Sequence, residues 1–435
     1  MMNRIILIGN GFDLAHNIKT SYDHFINDYW EKVMHKLRNE VNGNITTYLN
    51  IFETEEIKID DVPGGIYNAG DWVKGETYED LINILENKNL ELIFKNQFLE
   101  MLTKKKKEQN WVDIEIEYYN LLKESFKNKN CSYGITKLNK DFEGIKILLE
   151  SYLKEVENKF VEDFGKKNSD LSLRNKIGSK IYSPFKLKDF TENAINRKAQ
   201  NEFHIFQNNL NALNSNLITL DELSDESRQL ISRIGKDGTE KEIRKLLISD
   251  SSVNYFELMP DEILFLNFNY TFTETLYSNH TSYYSLTSKK DITKQYIHIH
   301  GTTDKHDRND VIFGFGDEID EDYKSIENLN DNVYLENIKS IKYLETDNYK
   351  QLLEFLNSAE YQIFTFGHSC GISDRTLLNT LFEHKNCSSI KPFYYKKDDE
   401  TDNYSDIVKN ISRNFNNKSI MRDKVVNKDY CEPLS

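Results

Sequence analysis

Arg4 to Ile8 form a β-branched apolar run that stops at Gly9-Asn10-Gly11, the pattern of a strand that leaves into a turn and then a helix. One strand cannot bury its own backbone, so this one must pair with strands elsewhere in the chain. The next apolar runs with strand character come only after Glu262, some 250 residues later. Any fold this sequence adopts has to close that gap.

What lies between is helical. After Thr20-Ser21 the positions Tyr22, Phe25, Ile26, Tyr29, Trp30, Val33, Met34 and Leu37 recur at helical spacing. Residues 42–75 break into turn residues around Pro63-Gly64-Gly65, and helical periodicity returns after Thr77. Phe142, Ile145, Leu148, Leu149, Tyr152, Val156 and Phe160 then share one stripe, and residues 76–247 read as a helical block. From Glu262 onward short strands alternate with turns and helices: Ile263–Leu266, Tyr296–His300, Val311–Phe313, Tyr361–Phe366 and Phe393–Tyr395. A helix is expected over about 335–356 and another after Gly371. Such alternation predicts an α/β fold with a parallel sheet. The expected organisation is one discontinuous α/β domain from 1–41 and 255–423, a mainly helical insertion or cap at 42–254, and a C-terminal tail at 424–435.

Composition removes several function classes. The 435 residues hold 56 Lys and Arg against 71 Asp and Glu, a net charge of −15, which argues against general nucleic-acid binding. Lys104–Lys107, flanked by Glu100 and Glu108, reads as a solvated helix end. Aromatic residues make up 12% of the chain, which disordered sequences lack. Cys131, Cys370, Cys387 and Cys431 are far apart with no CxxC spacing, which fits a reducing cytosol and offers no metal knuckle. The start of the chain lacks a secretion signal, and no apolar stretch approaches the roughly 18 residues that span a bilayer. A cytoplasmic protein with no membrane partner is the expectation.

The segments able to carry chemistry all follow strands, and in a parallel sheet ligands bind at those ends. Gly9-Asn10-Gly11-Phe12-Asp13 is either a phosphate-approaching turn or a simple strand-to-helix turn; Asp13 can cap the helix or accept a ribose hydroxyl, and Leu14 stands where a dinucleotide fingerprint has a small residue. Asn267 and Asn269 alternate at the end of a buried strand, where amides either position a water or substrate hydroxyl or cap the following turn. His298 and His300 are placed on one face of a strand; without a third ligand at suggestive spacing, His300 before Gly301 suits proton transfer better than a metal. Gly314-Phe315-Gly316-Asp317 is a further glycine exit. Gly367-His368-Ser369-Cys370-Gly371 is another, where Ser369 can bind phosphate or ribose and Ser373 or Asp374 can cap the helix that follows. Nothing near Cys370 in sequence activates it as a nucleophile. Trp111-Val112-Asp113-Ile114-Glu115-Ile116-Glu117 mixes acids and rings as an amphipathic segment, with Glu115 able to reach a cleft.

Taken in order, these motifs resemble a known family. Ile6-Leu7-Ile8-Gly9-Asn10-Gly11-Phe12-Asp13-Leu14-Ala15-His16, continuing to Lys19-Thr20-Ser21-Tyr22, resembles the opening of the bacteriophage abortive-infection AbiH family. Trp111 with Asp113 and Glu115, Asn269-Tyr270 and His300-Gly301 look like that family too. The order is also similar, more distantly, to the sirtuin-like fold of NAD-dependent deacylases and NAD-hydrolysing defence proteins. That resemblance implies a Rossmann-like parallel sheet with a large helical insertion. It implies a dinucleotide cradle at Gly9 and Gly11, an Asn-Tyr pair at Asn269 and Tyr270, an essential imidazole at His300 beside Gly301, and a ribose or phosphate contact at Gly367 and Ser369. Asp13 departs from the small hydroxyl residue common in that turn, Asn17 replaces a common glycine, and the four-cysteine zinc module of the deacylases is missing. The implied activity is hydrolysis of NAD at the nicotinamide–ribose bond, with Asn269 and His300 catalytic, no metal, and Asn10, Phe12, Asn267 and Asp374 completing the binding set. The implied partners are NAD or a related nucleotide and a phage-encoded trigger, with room for a homo-oligomer. The alternative is a non-catalytic sensor of a nucleotide or ADP-ribose-type ligand.

Overall fold

The computed structural model describes residues 2–43, 51–62, 73–109, 113–128, 133–164, 171–278, 291–303, 310–398 and 401–435. The chain divides into two units. The first comprises Met1–Ala15, Lys167–His300 and Tyr343–Ser435, and the second His16–Lys166 and Gly301–Lys342.

The first unit answers the question posed by the N-terminal strand. β1 (Met2–Ile8) lies at the centre of a five-stranded, all-parallel sheet with β5 (Glu262–Asn267), β6 (Thr293–His298), β7 (Glu360–Phe366) and β8 (Cys387–Phe393), in the order β6-β5-β1-β7-β8. Ile5 to Ile8 are fully buried, as a strand covered on both faces requires. Arg4 is buried among them. Its Nη1 donates to the carbonyls of Ile181 and Ser183 at 2.7 Å each, and the guanidinium lies 4.7 and 4.3 Å from the Phe185 and Phe364 ring centroids.

Residues 171–258 belong to this sheet unit and not to the helical block expected at 42–254. Phe185, Leu187, Phe190, Ile195, Phe206 and Phe256 form one buried cluster, with Met2 packed against it. The N–H of Thr191, which caps the helix Glu192–Asn214, donates to the Ser388 carbonyl on β8 at 3.0 Å. The expected tail is part of the same unit: Lys424 donates to the carbonyls of Phe382 and His384, and Leu434 N–H to that of Tyr394.

The second unit holds the helices Tyr22–Gly43, Gln97–Gln109, Ile114–Lys127 and Ile135–Phe164, with a small antiparallel sheet of β2 (Ile51–Glu53), β3 (Ile57–Asp60) and β4 (Leu92–Phe94) where only turns and helices were expected. Residues 301–342 join it through aromatic stacking and charge. Phe313 stacks on Phe142 at 4.8 Å and Phe315 on Tyr119 at 3.8 Å, while Lys339, fully buried, pairs with Glu115 at 2.8 Å.

Three expected elements change. Val311–Phe313 is not a strand; this apolar run is buried against helices, and its neighbour Phe315 makes only an isolated bridge to Ile338. The helix expected over 335–356 is divided into Lys339–Lys342 and Asn348–Ser358, with a 3-10 turn at Tyr343–Glu345 between them. β6 ends at His298, so His300 lies in the turn beyond it and the two histidines do not share a strand face.

Candidate functional site

Register gathers the motifs on one edge. Ile8 on β1 is level with Asn267 on β5 and Phe366 on β7, and Asn267 is level with His298 on β6. Beyond this row come Gly9–Asp13, Phe268–Thr271, Ile299–His300 and Gly367–Asp374. The chain moves outward from β1 through β5 to β6, then returns to lay β7 on the other side of β1. The β1/β7 boundary is therefore where the connections reverse, the place at which open parallel sheets bind ligands.

At that boundary the two glycine exits pack backbone on backbone. Gly9 N–H donates to the Phe366 carbonyl at 3.1 Å and Gly11 N–H to that of Gly367 at 2.9 Å. A Cβ on Gly9 would lie 2.5 Å from the His368 Cα, and one on Gly367, whose φ is +69°, 2.0 Å from the Phe12 nitrogen. Phe12 N–H closes the turn on the Gly9 carbonyl at 2.8 Å. Those three donors are thus engaged within the protein and are not available to an anion. Asp13 is fully buried and accepts from the Thr271 hydroxyl at 2.7 Å.

Next to this boundary is a buried polar network. The Asn267 amide donates to Glu274 Oε2 at 2.7 Å and to the Thr271 carbonyl at 2.9 Å, and its Oδ1 accepts from Asn269 N–H at 2.8 Å. His298 Nε2 faces Glu274 Oε1 at 3.0 Å, and the His298 carbonyl accepts from Asn348. Asn267 and Glu274 are each 1% exposed. Buried polar groups satisfied in this way fix a backbone, and here they fix Asn269. Glu274 was not singled out in the sequence, because its partner Asn267 is seven positions away across a turn.

The titratable groups converge on His300, which is buried. Its Nδ1 lies 3.2 Å from the Phe268 carbonyl; a carbonyl only accepts, so this contact assigns the proton to Nδ1. Nε2 then lies 3.2 Å from the Tyr343 hydroxyl and 3.2 Å from Asp374 Oδ1; a carboxylate also only accepts, so this second contact is the geometry of an imidazolium protonated on both nitrogens. Asp374 Oδ2 is 3.8 Å from Nε2 of His368, whose Nδ1 accepts from Cys370 N–H at 2.9 Å, so His368 carries its proton on Nε2. One carboxylate therefore lies between two imidazoles. Asp374 stands at the start of the helix Arg375–Glu383 but makes no side-chain capping bond. Phe268 sets its edge against both rings, and Tyr343 lies parallel to His300 with Tyr349 beyond it. Tyr343 and His368 carried no role in the sequence reading; the break in the expected helix places the Tyr343 hydroxyl here.

The remaining motif residues differ in burial and in partners. The Asn269 Nδ2 is buried and has no hydrogen-bond partner among the described residues. Tyr270 lies 6.4 Å from the His300 ring, Asn10 is partly exposed, Gly301 turns the chain at φ +79°, and Ser369 is exposed. Cys370 is fully buried at φ +54°, and burial, then the nearby Asp374 charge, pushes its thiol well above the usual range. Trp111 lies outside the described residues. Asp113 caps the helix Ile114–Lys127 through the N–H groups of Glu115 and Ile116, and Glu115 pairs with Lys339 in the second unit. Among the described residues no group of three or more His, Cys, Asp or Glu side chains is arranged to hold a metal ion, and no helix is long and apolar enough to cross a membrane.

A family model described as bacteriophage abortive infection AbiH matches residues 5–396. The chain belongs to the AbiH family. The match covers the N-terminal strand from Ile5 onward, all four histidine-group residues His300, Tyr343, His368 and Asp374, and most of both units. AbiH membership supports a role in phage defence by abortive infection. No curated protein and no solved structure matches the chain.

Proposed function

We propose that this AbiH protein acts in abortive infection by hydrolysing NAD at the nicotinamide–ribose bond, in a Rossmann-like and sirtuin-like site at the β1/β7 boundary. The observation that carries the reading is the His300 imidazole: its Nδ1 proton is committed to the Phe268 carbonyl, and its Nε2 faces Tyr343 and Asp374. With Nδ1 held protonated by the Phe268 carbonyl, His300 offers a lone pair on Nε2 once the proton that Asp374 favours there has left. Breaking the glycosidic bond releases neutral nicotinamide and leaves an oxocarbenium-like ribose. Water adds to the anomeric carbon to give ADP-ribose, and its proton passes to His300 Nε2. The imidazolium so formed meets the Asp374 carboxylate, which stabilises it. Asn269, whose backbone is fixed by Asn267 and whose Nδ2 has no partner among the described residues, orients the water or a ribose hydroxyl. General-base catalysis of this kind contributes about 10²–10⁴-fold. A protein that consumes cellular NAD acts in the cytoplasm.

The test is quantification of nicotinamide and ADP-ribose from NAD incubated with purified protein, with and without phage lysate. Release that falls by at least tenfold in both Asn269→Ala and His300→Ala supports the reading. Binding of NAD or ADP-ribose with no release under any condition overturns it in favour of a ligand sensor.

A further inference from the structure

On one face of the same sheet lies a second polar cavity of about 260 Å³, lined by Gln362 and Phe364 of β7, Lys391 of β8, Lys180 of the helix Leu171–Ile181, and Asp189. Lys391 and Asp189 are both almost fully buried, and Lys391 Nζ donates to Asp189 Oδ2 at 2.7 Å. The other oxygen, Oδ1, is sealed from solvent and has no hydrogen-bond partner among the described residues. Lys180 is also buried; its ammonium donates to the carbonyls of Pro433 and Leu434 at 2.6 and 2.9 Å. An ammonium has three donors, so Lys391 keeps two in reserve, and Lys180, whose ammonium also lies 4.0 Å from Glu432 Oε2, keeps one. Lys176 and Lys186 stand exposed at the rim, and neither forms an ion pair among the described residues. Four lysines against Asp189 and Glu432 make this cavity positive in a chain whose net charge is −15.

Buried groups left in this state need a complement. The lysines call for ionised oxygens, while Asp189 Oδ1 calls for one hydrogen-bond donor. A tetrahedral oxyanion that retains an O–H supplies both. We propose that this cavity binds a hydrogenphosphate-type oxyanion, with its ionised oxygens on Lys391, Lys180, Lys176 and Lys186, and that entry of the ion turns the Asp189 carboxylate so that Oδ1 accepts from its O–H. Sulfate has the same shape and charge but no O–H at neutral pH, so it sets a lone pair against the Asp189 carboxylate and is rejected. The site is separate from the NAD reading and stands or falls without it.

The experiment is calorimetric titration of the full chain at neutral pH and constant ionic strength with orthophosphate, sulfate and glycerol phosphate. Saturable phosphate binding at least tenfold tighter than sulfate is expected. The double variant Lys176→Ala/Lys186→Ala, which changes only exposed side chains, should weaken phosphate at least tenfold while leaving circular dichroism and any NAD hydrolysis unchanged. Tighter binding of glycerol phosphate than of orthophosphate makes a phosphate monoester, in its singly protonated form, the natural source; the reverse order makes it the free ion. No saturable heat with phosphate or its ester overturns the proposal and leaves a water-filled cavity, and equal affinity for phosphate and sulfate overturns the role given to Asp189.

Discussion

His300 gathers its meaning from atoms that are distant in sequence. Phe268 fixes the proton on Nδ1, and Tyr343 and Asp374 share the space at Nε2. Asp374→Asn keeps the volume and removes the charge that would meet an imidazolium, so NAD turnover should fall mainly in kcat with KM nearly unchanged; a variant with wild-type kcat would remove Asp374 from the account. Tyr343→Phe deletes one hydroxyl from the same nitrogen and should cost less than Asp374→Asn in the same assay. The cysteines offer a check of the electrostatics. Burial pushes Cys387 to about 11 and Cys431 to about 12, and Cys370 higher still. A raised thiol pKa means that the reactive thiolate is scarce below that pH. At pH 8 all three should resist iodoacetamide in the native protein and label in denaturant, as read by peptide mass spectrometry. Rapid native labelling of Cys370 would show that it is neither buried nor neutral. At this scale the sequence pointed to His300, Asn269 and Asp374 because each follows a strand. It was silent on Tyr343 and Glu274, whose partners are set by turns that no local pattern encodes.

The strands and turns carry the site by close approach. Gly367 has no room for a side chain, since its Cβ would lie 2.0 Å from Phe12 N at a left-handed φ. Gly367→Ala should therefore destabilise the protein by about 1–3 kcal/mol or more, seen as a lower midpoint in chemical denaturation; an unchanged midpoint would mean that the β1 and β7 exits are not packed together. In the second unit, Glu115→Ala removes the carboxylate paired with the buried ammonium of Lys339, and a loss of about 3–5 kcal/mol is expected in the same measurement. β1, β5 and β7 were legible because strands buried on both faces read as continuous apolar runs. β8 was legible only at its last residue: Cys387-Ser388-Ser389-Ile390-Lys391-Pro392-Phe393 satisfies its polar side chains through Gln362 and Asp189, and as an edge strand it tolerates Pro392. Val311–Phe313 misled for the converse reason, since a short apolar run buried against helices has the same composition as a strand.

For the molecule as a whole, the N-terminal strand required distant partners, and the sheet supplies them on both sides of β1. The division into units was less legible. A helix that covers a sheet and one that packs on other helices show the same 3.6-residue periodicity, so residues 171–258 could not be told apart from the helices before them. The net charge of −15 now has a sharper reading as well: the polar groups around His300 are an amide, a hydroxyl and a carboxylate, while a lysine-rich cavity lies elsewhere on the sheet. The direct test of NAD hydrolysis as the means of defence is to quantify intracellular NAD through phage infection in cells that carry the wild-type protein or His300→Ala. NAD should collapse after infection only with the wild type, together with loss of phage yield. Protection that persists while NAD stays at its uninfected level would contradict the account.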